Sequence, residues 1–273
     1  DGTKFSKTGF SISFEEAKTK IGMDPTRYLF SGSNPVNDMR FGFAFGEEAK
    51  RKMLSLWNIV VFFDLYYRID KPDLTKDIKT EDISDKWLEN RVNKFISESI
   101  DCYQDYDVSN VVKLFELCID DVSNWYIRIN RKRFWKSEMN NDKLSAYKTL
   151  YNSIKKILKV MAPVIPFMTD YIWKELILDI EKEECSIHLS SFPKKEEYNQ
   201  KLLDEVETIR EIITGALRIR NTKNIKVKQP LNTLYLIKYN EELVRKYEDI
   251  IKEELNIKNI EYYDNIVAIS DEY

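Results

Sequence analysis

The sequence predicts a mainly α protein: an antiparallel helical bundle with a short region before it and a small α/β appendage after it. Three observations carry this. Only seven Gly and seven Pro occur in 273 residues, too few for the many tight turns of an all-β chain. Up to Asn221, apolar residues return every three or four positions, the period of helices with one buried face. Beyond Pro230 the period becomes alternating, as in strands.

Each element follows from its residues. Phe14 to Ile21 reads as a short amphipathic helix, and in Met23-Asp24-Pro25 a capping Asp and a first-turn Pro announce another toward Ser31. Ser31 to Asn37 is a turn-rich break. From Glu47 to Arg68, Met53, Leu56, Trp57, Val60, Val61, Phe63 and Leu65 predict a long, mostly buried helix ending in a polar loop with Pro72. Asp85 to Tyr103 repeats the pattern with Leu88, Val92, Phe95, Ile96 and Ile100. Asp107 or Ser109 can cap the next helix, whose core stripe is Val111, Phe115, Cys118, Val122, Trp125 and Ile129. Asp142 opens another, with Leu150, Ile154, Ile157, Leu158 and Met161 before Ala162-Pro163. Pro166 starts the last of this group, through Trp173 and Leu176. Four or five antiparallel helices with short links make an up-and-down bundle. After an acid-rich loop (Glu181, Glu183, Glu184), Leu202 to Asn221 is a further helix. The appendage then reads Leu234 to Ile237 as a strand, Glu241 to Glu254 as a helix, and Ile257 to Tyr263 and Ile266 to Ile269 as strands. Three regions result: 1–45, 46–180 and 181–273.

Composition narrows the function classes. Apolar residues make 43% and aromatics 13% of the chain, ample for a packed core. The net charge of −3 says nothing for nucleic acid, so the distribution of charge has to decide. Cys102, Cys118 and Cys185 lie far apart and there is a single His, which argues against a zinc site or a disulfide framework and for a reducing cytoplasm. No apolar run approaches a membrane span and no signal peptide opens the chain.

Two basic clusters stand out. Asn124 to Lys136, NWYIRINRKRFWK, holds Arg128, Arg131, Lys132, Arg133 and Lys136 without one acid. Asn124, Arg128, Arg131 and Trp135 recur on a helical face turned away from the core stripe, whereas Arg133 turns back toward the apolar side, where a carboxylate partner is expected. Two readings stay open for this segment. Cations at the end of a helix suit its dipole, and a basic strip interleaved with aromatics suits phosphates. A second acid-free run lies between Arg218 and Lys228, with Arg218, Arg220, Lys223, Lys226 and Lys228. The opening DGTKFSKTGF sets Lys4, Ser6, Lys7 and Thr8 between glycines, a loop able to neutralise a polyphosphate. His188, between Ile187 and Leu189, lacks an orienting partner and reads as structural, in a short apolar extended piece. No Gly-rich phosphate loop, nucleophile elbow or Cys or Ser paired with a base is present.

Several of these strings resemble class I aminoacyl-tRNA synthetases, and among them the isoleucine branch. KFSKT at Lys4 to Thr8 is similar to the family's KMSKS loop, and GMDPTRYL at Gly22 to Leu29 to the string that usually follows it. NWYIRINRKRFW is similar to the isoleucine branch's signature in the anticodon-binding bundle, and NIKVKQPL points the same way; MAPVIPFMTDYIW and SIHLSSFP also match in order. Phe5, Thr8 and Pro25-Thr26 depart from the commonest residues, while both loop ammonium groups and a hydroxyl remain.

The resemblance implies a ligase that makes isoleucyl-adenylate from isoleucine and ATP with Mg2+, then acylates its tRNA. Lys4, Ser6 and Lys7 would be catalytic, with Lys4 and Lys7 on ATP. Residues 11–45 would contact the tRNA stem, and the bundle would read the anticodon. The tRNA contacts would come from Asn124, Arg128, Arg131, Lys132, Trp135, Lys136, Arg218, Arg220, Lys226 and Lys228. A monomer without zinc, with tRNA-Ile as partner and no membrane, is expected. The competing readings are a free-standing, non-catalytic RNA-binding paralogue, part of a valine enzyme, or a helical scaffold that meets protein partners through aromatic patches. The family's HIGH signature needs two histidines and this chain has one, so the domain that carries it would precede Asp1. The 273-residue chain alone is therefore expected to form no aminoacyl-adenylate; isoleucine-dependent pyrophosphate exchange by the purified chain would contradict this.

Overall fold

A computed structural model of the chain describes residues 11–264 except 79, 239 and 240. The Lys4–Lys7 loop and the expected strand at Ile266 to Ile269 lie outside the described residues. The chain forms two compact units, Asp1–Tyr198 and Asn199–Tyr273.

In the first unit, α1 (Phe14–Glu16) opens on a capping box in which Ser13 and Glu16 satisfy each other's backbone, and continues as a π-helical turn, Ala17–Ile21. Gly22 then takes φ +99°, a conformation L side chains rarely adopt, to redirect the chain into α2 (Met23–Gly32). Asp24 does not cap this helix as the sequence suggests. Its buried carboxylate instead accepts the Phe167 and Met168 amides at 3.2 and 2.6 Å, capping α8 (Pro166–Ile172) from a distant part of the chain. Burial pushes the Asp24 carboxyl upward, against the opposing pull of those two amides.

Four long helical rods follow: α3 (Phe43–Asp70), α4 (Ile83–Gln104), α5 (Val108–Asp120) continuing into α6 (Arg128–Trp135), and α7 (Asn141–Met161). Asp82, Asp107 and Asn140 cap the last three by accepting backbone amides with their side chains. Cross-contacts give the directions. Lys52 meets Glu116 and Phe62 meets Phe134, so α3 runs with α5 and α6. Asp85 meets Ser145, and the Tyr103 hydroxyl donates to the Val160 carbonyl, so α4 runs with α7. The three-residue link from α4 to α5 reverses the chain, which completes the up-and-down bundle expected from the sequence. Gly46 permits the closest approach, since a Cβ there would lie 2.6 Å from the Ile21 side chain. α3 is less buried than its composition suggests: Met53, Leu56, Ile59, Val60 and Phe63 face the core, while Leu54, Val61 and Leu65 are exposed.

Residues 181–198 belong to this unit rather than to the following one, correcting the boundary expected at residue 180. Glu181 accepts from Tyr151 at 2.6 Å, the Trp173 indole donates to the Glu184 carbonyl at 2.8 Å, and Ser97 donates to the Glu196 carbonyl at 3.0 Å. These bonds reach from the bundle to a segment whose local sequence looks like a linker. His188 sits in a 3-10 turn, Ile187–Leu189, rather than an extended piece, with Nε2 3.2 Å from the Pro166 carbonyl oxygen.

The second unit opens with α10 (Gln200–Thr222), numbered after α9 (Leu178–Ile180). Strand β1 (Leu231–Ile237) pairs in parallel with β2 (Ile257–Tyr263), in register from Leu231 opposite Ile257 to Ile237 opposite Tyr263. The crossover holds α11 (Glu241–Lys246) and α12 (Glu248–Leu255), two helices where the sequence suggests one. Val244, Tyr247, Ile251 and Leu255 are buried, as are Leu203, Val206, Ile209 and Ile213 of α10, giving the unit its own core.

At the heart of the bundle lies a polar knot. Asp85 is fully buried, and both its oxygens are engaged. Oδ1 accepts from the Tyr126 hydroxyl and Arg133 Nη1, each at 2.7 Å, and Oδ2 accepts from Arg133 Nη2 and Ser145 Oγ, each at 2.8 Å. Asn130 extends the knot to Ser84 and to Arg133. Burial lowers the Arg133 pKa and the Asp85 carboxylate raises it, with the carboxylate prevailing; Tyr126 is pushed well above its ordinary value by burial first and Asp85 second. Removing one partner of such a pair strands a buried charge, so Asp85→Ala should cost about 3–5 kcal/mol in urea unfolding. Exposed Arg131→Ala should cost no more than about 0.5 kcal/mol.

Candidate nucleic-acid interface

The first basic cluster is presented by the rod formed by α5 and α6. Between them the helix widens into a π-helical segment, Asp121–Ile127. Buried positions then repeat at four, Cys118, Val122, Tyr126 and Asn130, which a turn wider than 3.6 residues accommodates. The core line therefore leaves Ile129, which is half-buried rather than core as its spacing predicts, and passes to Asn130, Arg133 and Phe134. Arg133 faces inward to a carboxylate, as its position suggests.

The opposite side of the rod carries Asn124, Arg128, Arg131, Lys132, Trp135 and Lys136, all exposed. Their exposure is what the helical spacing in the sequence leads one to expect. Trp135 is 58% exposed, and the Arg131 guanidinium lies over its ring at 5.9 Å from the centroid. The Arg128 guanidinium lies 5.7 Å from the ring of Trp125, which is itself buried. Asn124 donates to Asp120, and Lys136 stands 3.8 Å from Asp142, an exposed pair of small energetic weight.

The Trp135 indole is fixed from behind. Its Nε1 donates to the Tyr66 hydroxyl of α3. Tyr66 packs on Phe62 and Phe134, and Phe134 meets Tyr147 edge-on at 4.9 Å. Beneath them Lys143, only 1% exposed, donates to the Lys136 carbonyl and pairs with Asp70 at 2.6 Å. Tyr147 also donates to Asp70; burial, then that carboxylate, holds its phenol above the ordinary range and so protonated. The result is an exposed amphipathic ring anchored through its Nε1 to the bundle, with a guanidinium over it. Such a surface can stack an unpaired base while its cations meet phosphates. Tyr66 and Lys143 lack any local signal in the sequence, because each acts on a residue brought to it by the fold.

The second cluster belongs to the second unit. Arg218, Lys226 and Lys228 are exposed, but Arg220 is not the surface contact the sequence suggests. It is 5% exposed, and its Nη2 donates to the carbonyls of Lys226, Val227 and Gln229 at 3.1, 3.2 and 2.5 Å. The sequence does hold the signal for this. Arg220 follows Ile213 by seven residues, two helical turns, and so falls on the buried face of α10. Among the described residues no group of His, Cys, Asp or Glu could hold a metal, and no helix is long and apolar enough to cross a membrane.

Comparison with known proteins agrees with this geometry. The profile of the family described as the anticodon-binding domain of tRNA ligase matches residues 85–235, which span α4, the basic ridge, the second cluster and the start of β1. The chain is 36% identical to the isoleucine–tRNA ligase of Clostridium novyi (strain NT), over 96% of this chain and 26% of that protein. It is 37% identical to that of Clostridium tetani, over 95% and 26%, and 32% identical to one from Bacteroides fragilis, over 98% and 25%. The chain spans about a quarter of the length of the curated relatives it matches. With three of the bundle's four rods and the basic, aromatic ridge in the matched segment, the chain belongs to the anticodon-binding domain family of tRNA ligases.

Proposed function

We propose that this chain is the tRNA-binding part of an isoleucine tRNA ligase and grips the anticodon arm of tRNA-Ile. The observation that carries the reading is the pairing of exposed Trp135 with Arg131 on a ridge of like charge, inside the segment matched by the anticodon-binding family. Trp135, with Arg131 and Arg128, supplies planes for unstacked bases, and Asn124, Lys132 and Lys136 supply hydrogen bonds and charge for the backbone beside them. Arg218, Lys226 and Lys228 neutralise further phosphates. In the full-length enzyme, isoleucine and ATP with Mg2+ are the co-substrates. Lys4, Ser6 and Lys7 then stabilise the triphosphate and the departing pyrophosphate, where added positive charge matters most as the transition state forms. A cytoplasmic monomer without zinc is the setting we assign to it.

Binding measurements on the 273-residue chain test the reading. Trp135→Ala and Arg131→Ala should each weaken tRNA-Ile binding by about 1–3 kcal/mol, the range for losing a base stack. Unchanged affinity in both would move the contact off the ridge. The logarithm of the affinity should fall steeply and linearly with the logarithm of salt concentration, by roughly 0.7–0.9 per phosphate engaged. A flat dependence would point to a protein partner instead. Binding should also favour the isoleucine tRNA over the valine tRNA, and equal affinity would remove the assignment to isoleucine.

A further inference from the structure

The turn that follows α10 has an unusual arrangement of its backbone. Four successive carbonyls, those of Lys226, Val227, Lys228 and Gln229, are each taken by a side-chain donor. Arg220 Nη2 reaches the first, second and fourth. Asn256 Nδ2 reaches Val227 and Lys228 at 2.9 and 3.2 Å. Both donors come from outside the turn, Arg220 from the last turn of α10 and Asn256 from the residue between α12 and β2. The helix end itself is closed by backbone amides, since those of Lys223, Asn224 and Ile225 donate to the carbonyls of Ile219, Asn221 and Arg220.

We propose that Arg220 and Asn256 are positioning residues that turn the negative ends of this backbone inward and make the turn a preformed seat for RNA phosphates. This rests on the tRNA-binding reading above and deepens it. With the carbonyl dipoles drawn down, the outer side presents Lys223, Lys226 and Lys228, all exposed. Arg220 has no carboxylate partner among the described residues, so its charge adds to the local field instead of being cancelled. Favourable placement of cations at a helix C-terminus explains a basic last turn. It does not explain why four carbonyls beyond the helix are collected onto two side chains. A turn ordered before binding loses less freedom on meeting its ligand, and so gives more affinity for the same lysines.

The test is a double-mutant cycle read by salt titration of binding to a tRNA-Ile transcript, using the whole 273-residue chain. One arm is Lys226→Ala with Lys228→Ala. The other is Asn256→Gly, which removes the donor but tolerates the φ of +49° at this position; thermal melting verifies that each variant is folded. The lysine pair should weaken binding about tenfold and make the salt slope shallower by about 1.5, the loss of two phosphate contacts. Asn256→Gly should weaken binding about threefold, flatten the slope in the same direction, and add less than twofold to the lysine variant. Wild-type affinity and slope in Asn256→Gly, or full additivity of the two arms, would overturn the positioning role. An inert lysine variant would also overturn it, and Trp135→Ala run alongside separates the two levels. If Trp135→Ala weakens binding while the lysine variant does not, only this inference falls. If both are inert, the tRNA-binding reading falls with it.

Discussion

The buried carboxylate of Asp85 is the constraint on which the rest of the first unit depends. A charge with no exposure to water is tolerated only when every lone pair is engaged, and here the four hydrogen bonds to Asp85 of α4 come from two other rods of the bundle: Tyr126 and Arg133 from the rod of α5 and α6, and Ser145 from α7. Apolar packing would accept small slips of one helix along another. The fork of Arg133 on Asp85 does not, since a shift of one residue would separate both hydrogen bonds.

That rigidity reaches the proposed RNA surface directly. Arg133 lies two residues from Trp135 on the same helix, so fixing the guanidinium in the core fixes the rotation of α6 about its axis. Arg131 and Trp135 are then held outward by the same bond that draws Arg133 inward. The π-helical segment upstream performs the complementary task. It lets Val111, Phe115 and Cys118 pack in one phase and Asn130, Arg133 and Phe134 in another, so the outer ridge need not drift into the core. Tyr66 and Lys143 then secure the last turn, one at the indole and the other at the final carbonyl. The second unit reaches a basic surface by a different route, with a buried guanidinium holding a turn instead of a helix.

Much of this was legible in the sequence, because helix existence and facing depend on spacing alone. The periodicity from Glu47 to Met161 supports the four rods, and the absence of acids from Asn124 to Lys136 marks the ridge, since a solvated helix ordinarily mixes signs. The inward turn of Arg133 and its need for a carboxylate follow from its angular position. Asp24 departs from the expectation because a capping residue is recognised by its neighbours in sequence, while here the helix it caps begins 142 residues later, at Pro166. Arg220 departs from the expectation because its charge suggests the surface while its place on the helical face of α10 puts it inside.

By itself, then, the sequence determined the helical bundle, the change to α/β beyond Pro230, and the two basic clusters, all of which are patterns along one chain. Tertiary structure alone decided that Asp85 is the partner of Arg133, that Tyr66 receives the Trp135 indole, that residues 181–198 pack with the bundle, and that Arg220 and Asn256 gather the carbonyls of one turn. Most of these are pairings between residues far apart in the chain, and all of them join different elements; a hydrogen bond depends on where two atoms meet in space, which periodicity along a single segment does not specify.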